Sequence, residues 1–360
     1  MQKQTRLYTT DYAPSRGGVA RYLGNLAAYF SDSVEVVVLD SSTRWWQALR
    51  RLWRDRRDVS QIVVSHVLPI GTAAMVFRWM TGTPYVVIVH GMDVGLAKTR
   101  RAKRIVAGMV LRGANVVVTN SAALEREVRD EFGVEGTVVV YPTVETRRLP
   151  LTPPPYEKGK RDLDHVSPPS SKEGMGVVQV RLITVARLVP RKGHLRVLDA
   201  IDSLRRSYPD LIFEFVIVGD GPHLETISRR ISELGLDDRV TIVRDASDEQ
   251  LNGHYSSSDL FVMPVVADSV DREGFGMVYL EAALHGVPAI ATNMPGVDEA
   301  VLDGITGILV KDGDIAALAD AVYRLATDES QRRRMGEAAR RRTIDEFSIE
   351  RQFSKLKEYL

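Results

Sequence analysis

The chain reads as an α/β protein of two doubly wound domains, and three observations lead there. Short, unbroken runs of Val and Ile recur along the sequence with helix-length segments between them. A polar, proline-rich stretch interrupts this rhythm near the middle, and the rhythm then restarts. At 360 residues the chain is too long for one ordinary core and about right for two domains of common size.

The runs "VEVVVLD" (34–40), "QIVVSHV" (61–67), "PYVVIVHG" (84–91), "ANVVVTNS" (114–121) and "GTVVVYP" (136–142) are continuous rather than alternating. Such strands are covered on both faces, as in a parallel sheet, which predicts a doubly wound domain over residues 1–144. Residues 145–176 have no hydrophobic period and read as a linker or mobile loop. Beyond them "VRLITVARL", "FEFVIVGDG", "RVTIV", "DLFVMP", "VPAIATN" and "TGILV" predict a second such domain over 177–345. The tail, 346–360, contains the amphipathic "SIERQFSKLKEYL" and is expected to pack back on the first domain.

Charged residues make up 26% and hydrophobic residues 44%, the proportions of a globular protein. Cysteine is absent, which excludes a disulfide framework, a thiolate zinc site and a cysteine nucleophile, and fits a reducing compartment. The N-terminal stretch lacks the apolar segment of a signal peptide, and no run of about 18 apolar residues follows. A cytoplasmic location is expected. The net charge of +1 is unevenly spread: residues 1–150 hold 21 Lys and Arg against 13 Asp and Glu, whereas 151–360 hold 27 against 34. The first half is therefore expected to meet something anionic.

Ligands of open α/β sheets bind at the carboxyl ends of the strands, so two facing domains would share a cleft there. His90 and Gly91 end "YVVIVHG", Arg187 ends "LITVAR", and Gly219 to Gly221 end "FVIVGDG". Gly17 and Gly18 follow the first strand and open a helix, where bare backbone approaches a phosphate closely; a plain turn has the same composition. Arg187 and Lys192 put a forked donor and a compact mobile charge on one loop, a pair suited to a diphosphate, though a solvated basic loop looks alike. "VGDGP" lacks the G-x-G-x-x-G spacing, which disfavours nicotinamide chemistry. In "EGFGMVYLE" (273–281), two carboxylates flank a glycine-rich turn; a helix starting near Phe275 would place Glu281 about two turns on.

Taken in order and spacing, Gly17-Gly18, His90-Gly91, Arg187 with Lys192-Gly193, "VGDGP" and the E-x7-E block resemble the retaining nucleotide-sugar glycosyltransferases of family 4, which have the GT-B fold. The resemblance spans nearly the whole chain apart from the proline-rich stretch. Within that family, "DREGFGMVYLEA" and "TDYAPSRGGVARY" are most similar to mannosyltransferases that act on phosphatidylinositol lipids. One departure stands out: after "VTIV", where the family has a glycine, this chain has Arg244 and Asp245 in the loop expected to line the base.

The resemblance implies roles. Arg187 and Lys192 would bind the donor diphosphate and neutralise the leaving group. Glu281 would hold the ribose, and Glu273 with the N–H groups of Phe275, Gly276 and Met277 would hold the transferred sugar. His90 would reach that sugar through a hydroxyl and its own backbone carbonyl. Gly17, Gly18, Gly219 and Arg244 would complete the donor site. The donor expected is GDP-mannose, with a UDP-sugar as the alternative. No D-x-D motif stands out, so neither a metal nor a tightly bound cofactor is expected.

"TRWWQALRRLWRDRRD" (43–58) places Trp45, Trp46, Leu49, Leu52 and Trp53 on one apolar stripe, flanked by arginines that include Arg50, Arg51 and Arg54. Tryptophan beside clustered arginine suits an anionic membrane surface, and "KTRRAKR" (98–104) adds to it. The same stripe would equally pack on the sheet. The expectation is a peripheral protein on the cytoplasmic face of the inner membrane, meeting a lipid or lipid-linked acceptor. Asp11 and Tyr12 are the expected acceptor contacts. Nucleic acid is not expected, because no recognition fold accompanies the charge. Alternatives are a UDP-sugar transferase with a soluble or polysaccharide acceptor, a non-catalytic nucleotide-sugar-binding protein, and a sugar-nucleotide epimerase.

Overall fold

The computed structural model describes residues 4–13, 17–145, 178–268 and 273–360. The proline-rich stretch read as a linker, apart from Glu145, lies outside the described residues. Among the described residues no helix is long and apolar enough to cross a membrane.

The first sheet contains β1 (Gln4–Thr9), β2 (Val34–Val38), β3 (Val59–Val64), β4 (Tyr85–Val89), β5 (Val116–Thr119) and β6 (Thr137–Val139), in the order β2-β1-β3-β4-β5-β6. All of its pairings are parallel. The unbroken Val and Ile runs are explained by two separate cores. Successive side chains of a strand point to opposite faces. Tyr8, Ile62, Val64, Val87 and Val89 accordingly enter one core, whereas Leu7, Val63, Val86 and Ile88 enter the other.

Five helices of this sheet position the residues discussed below: α1 (Gly18–Tyr29), α2 (Trp45–Asp55), α3 (Thr72–Thr81), α4 (Gly91–Lys98) and α5 (Arg101–Gly113). Tyr22, Leu23 and Leu26 of α1 share a core with Phe353 and Leu356 from the C-terminal tail. Both tail residues are fully buried, so truncating Phe353 would cost about 3–5 kcal/mol.

The second sheet contains β7 (Val178–Val185), β8 (Leu211–Val218), β9 (Val240–Val243), β10 (Leu260–Met263), β11 (Ala289–Thr292) and β12 (Gly307–Val310), in the order β12-β11-β10-β7-β8-β9. It too is parallel throughout. Strand order reverses between β1 and β3 in the first sheet and between β7 and β10 in the second. These switch points are where open α/β sheets leave a crevice.

The described residues divide into two compact units. The first takes the chain up to Glu145, the segment Asp268–Met277 and the C-terminal Glu346–Leu360; the second takes the rest. Phe275 shows why the short segment belongs with the first. Its ring is buried and lies 5.4 Å from both Tyr141 and Phe347. The E-x7-E block is thereby shared, with Glu273 in the first unit and Glu281 in the second.

Candidate functional site

In the first unit, the chain ends β1 and β3 with polar residues that find one another at the switch point. The His66 ring stands 3.0 Å from an Asp11 carboxylate oxygen through Nε2, and 2.8 Å from the Ser65 hydroxyl through Nδ1. Ser65 donates to the Thr9 hydroxyl at 2.7 Å, and the Thr9 oxygen accepts the Asp11 N–H at 2.9 Å. Tyr12, next in sequence, is half-buried against the core that holds Tyr22.

His90 ends β4 and precedes α4. It is 8% exposed, its Nε2 has no hydrogen-bond partner, and the edge of Tyr22 meets it at 6.0 Å. Burial, followed by the nearby His66, pushes the His90 imidazole down to about 3 against the pull of Asp11, so it is neutral at pH 7. The His90 carbonyl, expected to reach the sugar, already accepts the Asp93 N–H at 2.9 Å, and the ring's Nε2 is buried without a partner. Asp93 accepts the His90 N–H at 2.9 Å, and burial pushes its carboxyl up to about 6.

The helix of the E-x7-E block starts at Met277, two residues later than the sequence suggests. Gly276 has φ 89°, and a Cβ added at Gly18 would lie 3.9 Å from the Met277 sulfur. The glycine pair and the "EGFGM" segment are thus neighbours, with Gly17 capping α1. A Cβ at Gly274, the residue after Glu273, would meet the Asn120 amide at 2.9 Å. Asn120 ends β5, and its carbonyl oxygen is buried without a partner. Sequence reasoning missed both His66 and Asn120. Their one signal was position, since each closes an apolar strand run as His90 does.

In the second unit the loops after β7 and β10 close on each other at the switch point. Val266 N–H donates to the Arg191 carbonyl at 2.7 Å. Gly193 has φ 74°, and any Cβ there would sit 2.1 Å from the Pro264 carbonyl oxygen, so only glycine allows this approach. Lys192 is consequently 8% exposed, whereas Arg187 stands on the exposed rim of the same loop. Helix α6 (Ala122–Phe132) of the first unit is followed, in this second unit, by α7 (His194–Ser207). Neither ring nitrogen of its first residue, His194, has a partner. Burial, then Lys192 and His223, holds His194 down at about 4. Nothing in the sequence pointed to this buried histidine beside Lys192.

Gly219 has φ 146°, and its Cβ would fall 1.9 Å from the Ala186 carbonyl oxygen, which lets the end of β8 lie against that of β7. Arg244 pairs with Asp220 at 2.8 Å, both exposed, and this hydrogen bond holds the Asp220 carboxyl below its usual range. An exposed pair of this kind adds little stability, so its consequence is the shape of the loop. Glu281 accepts the Tyr255 hydroxyl at 3.0 Å, and Tyr255 stacks on His285 at 5.5 Å.

Helix α2 divides its stripe. Ala48, Leu52 and Asp55 face inward, whereas Trp45, Trp46 and Trp53 are 41–44% exposed. Arg50 and Arg54 are exposed, but Arg51 turns to Asp55 at 2.9 Å and helps fasten the helix, as the Tyr8 hydroxyl does at the same distance. The neighbouring α3 adds Trp79, 68% exposed, and Met80.

Two family patterns match the chain: the glycosyl transferase 4-like domain over residues 40–143 and glycosyl transferases group 1 over 169–342. A GDP-mannose-dependent α-(1-6)-phosphatidylinositol monomannoside mannosyltransferase of Mycolicibacterium smegmatis is 30% identical, over 98% of this chain and 97% of its own. The N-acetyl-α-D-glucosaminyl L-malate synthase of Bacillus anthracis is 28% identical over 73% of this chain and 70% of its own. Among solved structures, Anabaena HepE in complex with UDP and glucose superposes with a TM-score of 0.79 at 19% identity, covering 99% of this chain and 98% of that one. Sucrose-phosphate synthase from Thermosynechococcus elongatus gives 0.80 at 19% identity with the same coverage. These solved structures establish the GT-B architecture of two Rossmann-like sheets, and the full-length likeness to the mannosyltransferase establishes descent: the chain belongs to the family 4 glycosyltransferases and is a hexosyltransferase.

Proposed function

We propose that this enzyme moves mannose from GDP-mannose, with retention, to a lipid or lipid-linked acceptor such as a phosphatidylinositol. The observation that carries the chemistry is His90: a neutral imidazole, buried at a strand end, with an unpartnered nitrogen for a sugar hydroxyl. Arg187 and Lys192 supply the positive charge that a departing nucleoside diphosphate requires. The acceptor hydroxyl attacks the anomeric carbon from the face the diphosphate leaves. The bond from that carbon to the phosphate oxygen breaks, and that oxygen takes the hydroxyl proton. Glu281 and Gly219 serve the nucleoside side; Glu273, with the backbone of Phe275, Gly276 and Met277, serves the sugar.

Mannose and a phosphoinositide acceptor are supported by the likeness to the mycobacterial mannosyltransferase over both full lengths. A lipid acceptor is further supported by the four exposed tryptophans of α2 and α3 among Arg50, Arg54 and Arg57. A second reading is a UDP-sugar transferase with a soluble acceptor, and the soluble acceptor is favoured by the likeness to the malate synthase.

The test is hydrolysis of, and thermal stabilisation by, a panel of GDP- and UDP-sugars, with and without chelator, followed by transfer to phosphatidylinositol vesicles. A response to GDP-mannose that survives chelation supports the proposal, and a response confined to UDP-sugars moves the function to the second reading. Replacing Trp45, Trp46 and Trp53 with Ser should cut co-sedimentation with anionic liposomes at least about tenfold, given about 1.4 kcal/mol per factor of ten. Unchanged binding would remove the membrane from the proposal.

A further inference from the structure

The hydroxyls and the carboxylate around His66 form a hydrogen-bond chain that a ring protonated on both nitrogens satisfies throughout. Thr9 donates its one hydroxyl hydrogen to the Asp11 carbonyl at 3.2 Å, and Ser65 donates its own to Thr9 at 2.7 Å. With that hydrogen directed to Thr9, the Ser65 oxygen is placed 2.8 Å from His66 Nδ1 to accept from a proton there, whereas a ring without that proton would need the Ser65 hydrogen turned toward it. Nε2 faces a carboxylate oxygen at 3.0 Å, and a carboxylate accepts only, so Nε2 carries one as well. A ring protonated on both nitrogens is an imidazolium. Asp11, 46% exposed, holds one oxygen against that cation and keeps acceptor capacity for a ligand.

We propose that His66, as an imidazolium, is a positioning residue: it holds Asp11 at the switch point of the first sheet, where that carboxylate receives the polyol hydroxyl of the acceptor. The inference rests on the transferase reading above. The placement is that of a ligand crevice, since the strand order reverses between β1 and β3, and the orphaned Nε2 of His90 belongs to the same cluster. The titratable groups facing His66 are Asp11 from the end of β1, and Asp93 and His90 from the start of α4. Burial disfavours the cation, but the hydrogen bond to Asp11 and the charges of Asp93 and Asp11 outweigh it and raise the His66 pKa.

Two measurements test this. Histidine-labelled protein, with the His66 signals assigned by their loss in His66→Gln, should show both ring nitrogens protonated at pH 7; a neutral ring there overturns the inference and needs no activity to be seen. Steady-state transfer from GDP-mannose to phosphatidylinositol vesicles should show the acceptor KM rising about tenfold as pH climbs past the His66 pKa, the size of one charge-assisted hydrogen bond, with donor KM unchanged. Gln can donate to Asp11 but has no proton to lose, so His66→Gln should give a pH-independent acceptor KM. A pH limb that persists in His66→Gln overturns the positioning role while leaving the transferase reading intact. A charged His66 in a protein that turns over no sugar nucleotide overturns the transferase reading and the acceptor role with it.

Discussion

At the switch point of the first sheet stand a carboxylate and a histidine, Asp11 and His66, with Asp93 and His90 beside them. At that of the second stand cations, Arg187 and Lys192, with His194 behind them. Overall charge runs the other way, because the first 150 residues carry the excess of Lys and Arg and the remainder carries the excess of Asp and Glu. The first unit keeps much of its surplus on its helices, at Arg50, Arg54 and the Arg101–Arg104 stretch, away from its strand ends. Net charge therefore describes a surface, whereas chemistry follows the few residues that close the strands.

The sharpest way to break this comparison is to remove the cation that the second sheet buries. Lys192→Ala should lower kcat by about 10²–10³-fold, the cost of deleting one preorganised charge from a transition state. Turnover within a few-fold of the parent would move the diphosphate elsewhere and leave Lys192 a buried structural cation.

A smaller effect separates the two regions by pH. Burial keeps His194 and His285 of the second unit at about 4, below the unfolded value of 6.5. Between pH 6.5 and about 4 the unfolded chain binds protons that the folded one refuses. Stability should then fall by about 1.4 kcal/mol per pH unit for each group. In the first unit His90 acts in the same sense, but His66 and Asp93 have raised values, so the folded chain takes up their protons first and gains stability as pH falls. Hydrogen exchange at pH 7 and pH 5 should show protection lost mainly from amides of the second unit. Equal loss in both would mean that the first cluster does not offset its own buried histidine.

The fold was legible because each strand is buried on both faces, so every residue of a run such as "YVVIV" had to be apolar whichever core it entered. The candidate site was legible where close packing demands unusual backbone: Gly193 and Gly219 admit no side chain, and the sequence shows glycine there. Single polar residues at strand ends left no such trace. Nothing local to "VVSHV" tells that His66 meets Asp11, because the contact spans 55 positions. The helix carrying the tryptophans divides its apolar stripe for a related reason. A wheel weighs only polarity, and the inward face of α2 includes Asp55, drawn in because it accepts the Tyr8 hydroxyl and meets Arg6 and Arg51.

The mildest test concerns how the second unit holds Glu281, the later carboxylate of the E-x7-E block. Tyr255→Phe deletes the hydroxyl that donates to Glu281 while keeping the ring that stacks on His285. Glu281 would lose one of its restraints, so the expected cost is about 1 kcal/mol. If Glu281 holds the ribose equally well before and during transfer, that cost appears as a donor KM about fivefold higher with kcat nearly unchanged. Steady-state kinetics on the variant read the two apart. A fall in kcat at constant KM would instead assign Glu281 to the reacting end of the donor, and the second unit would then do more than bind a nucleotide and neutralise its phosphates.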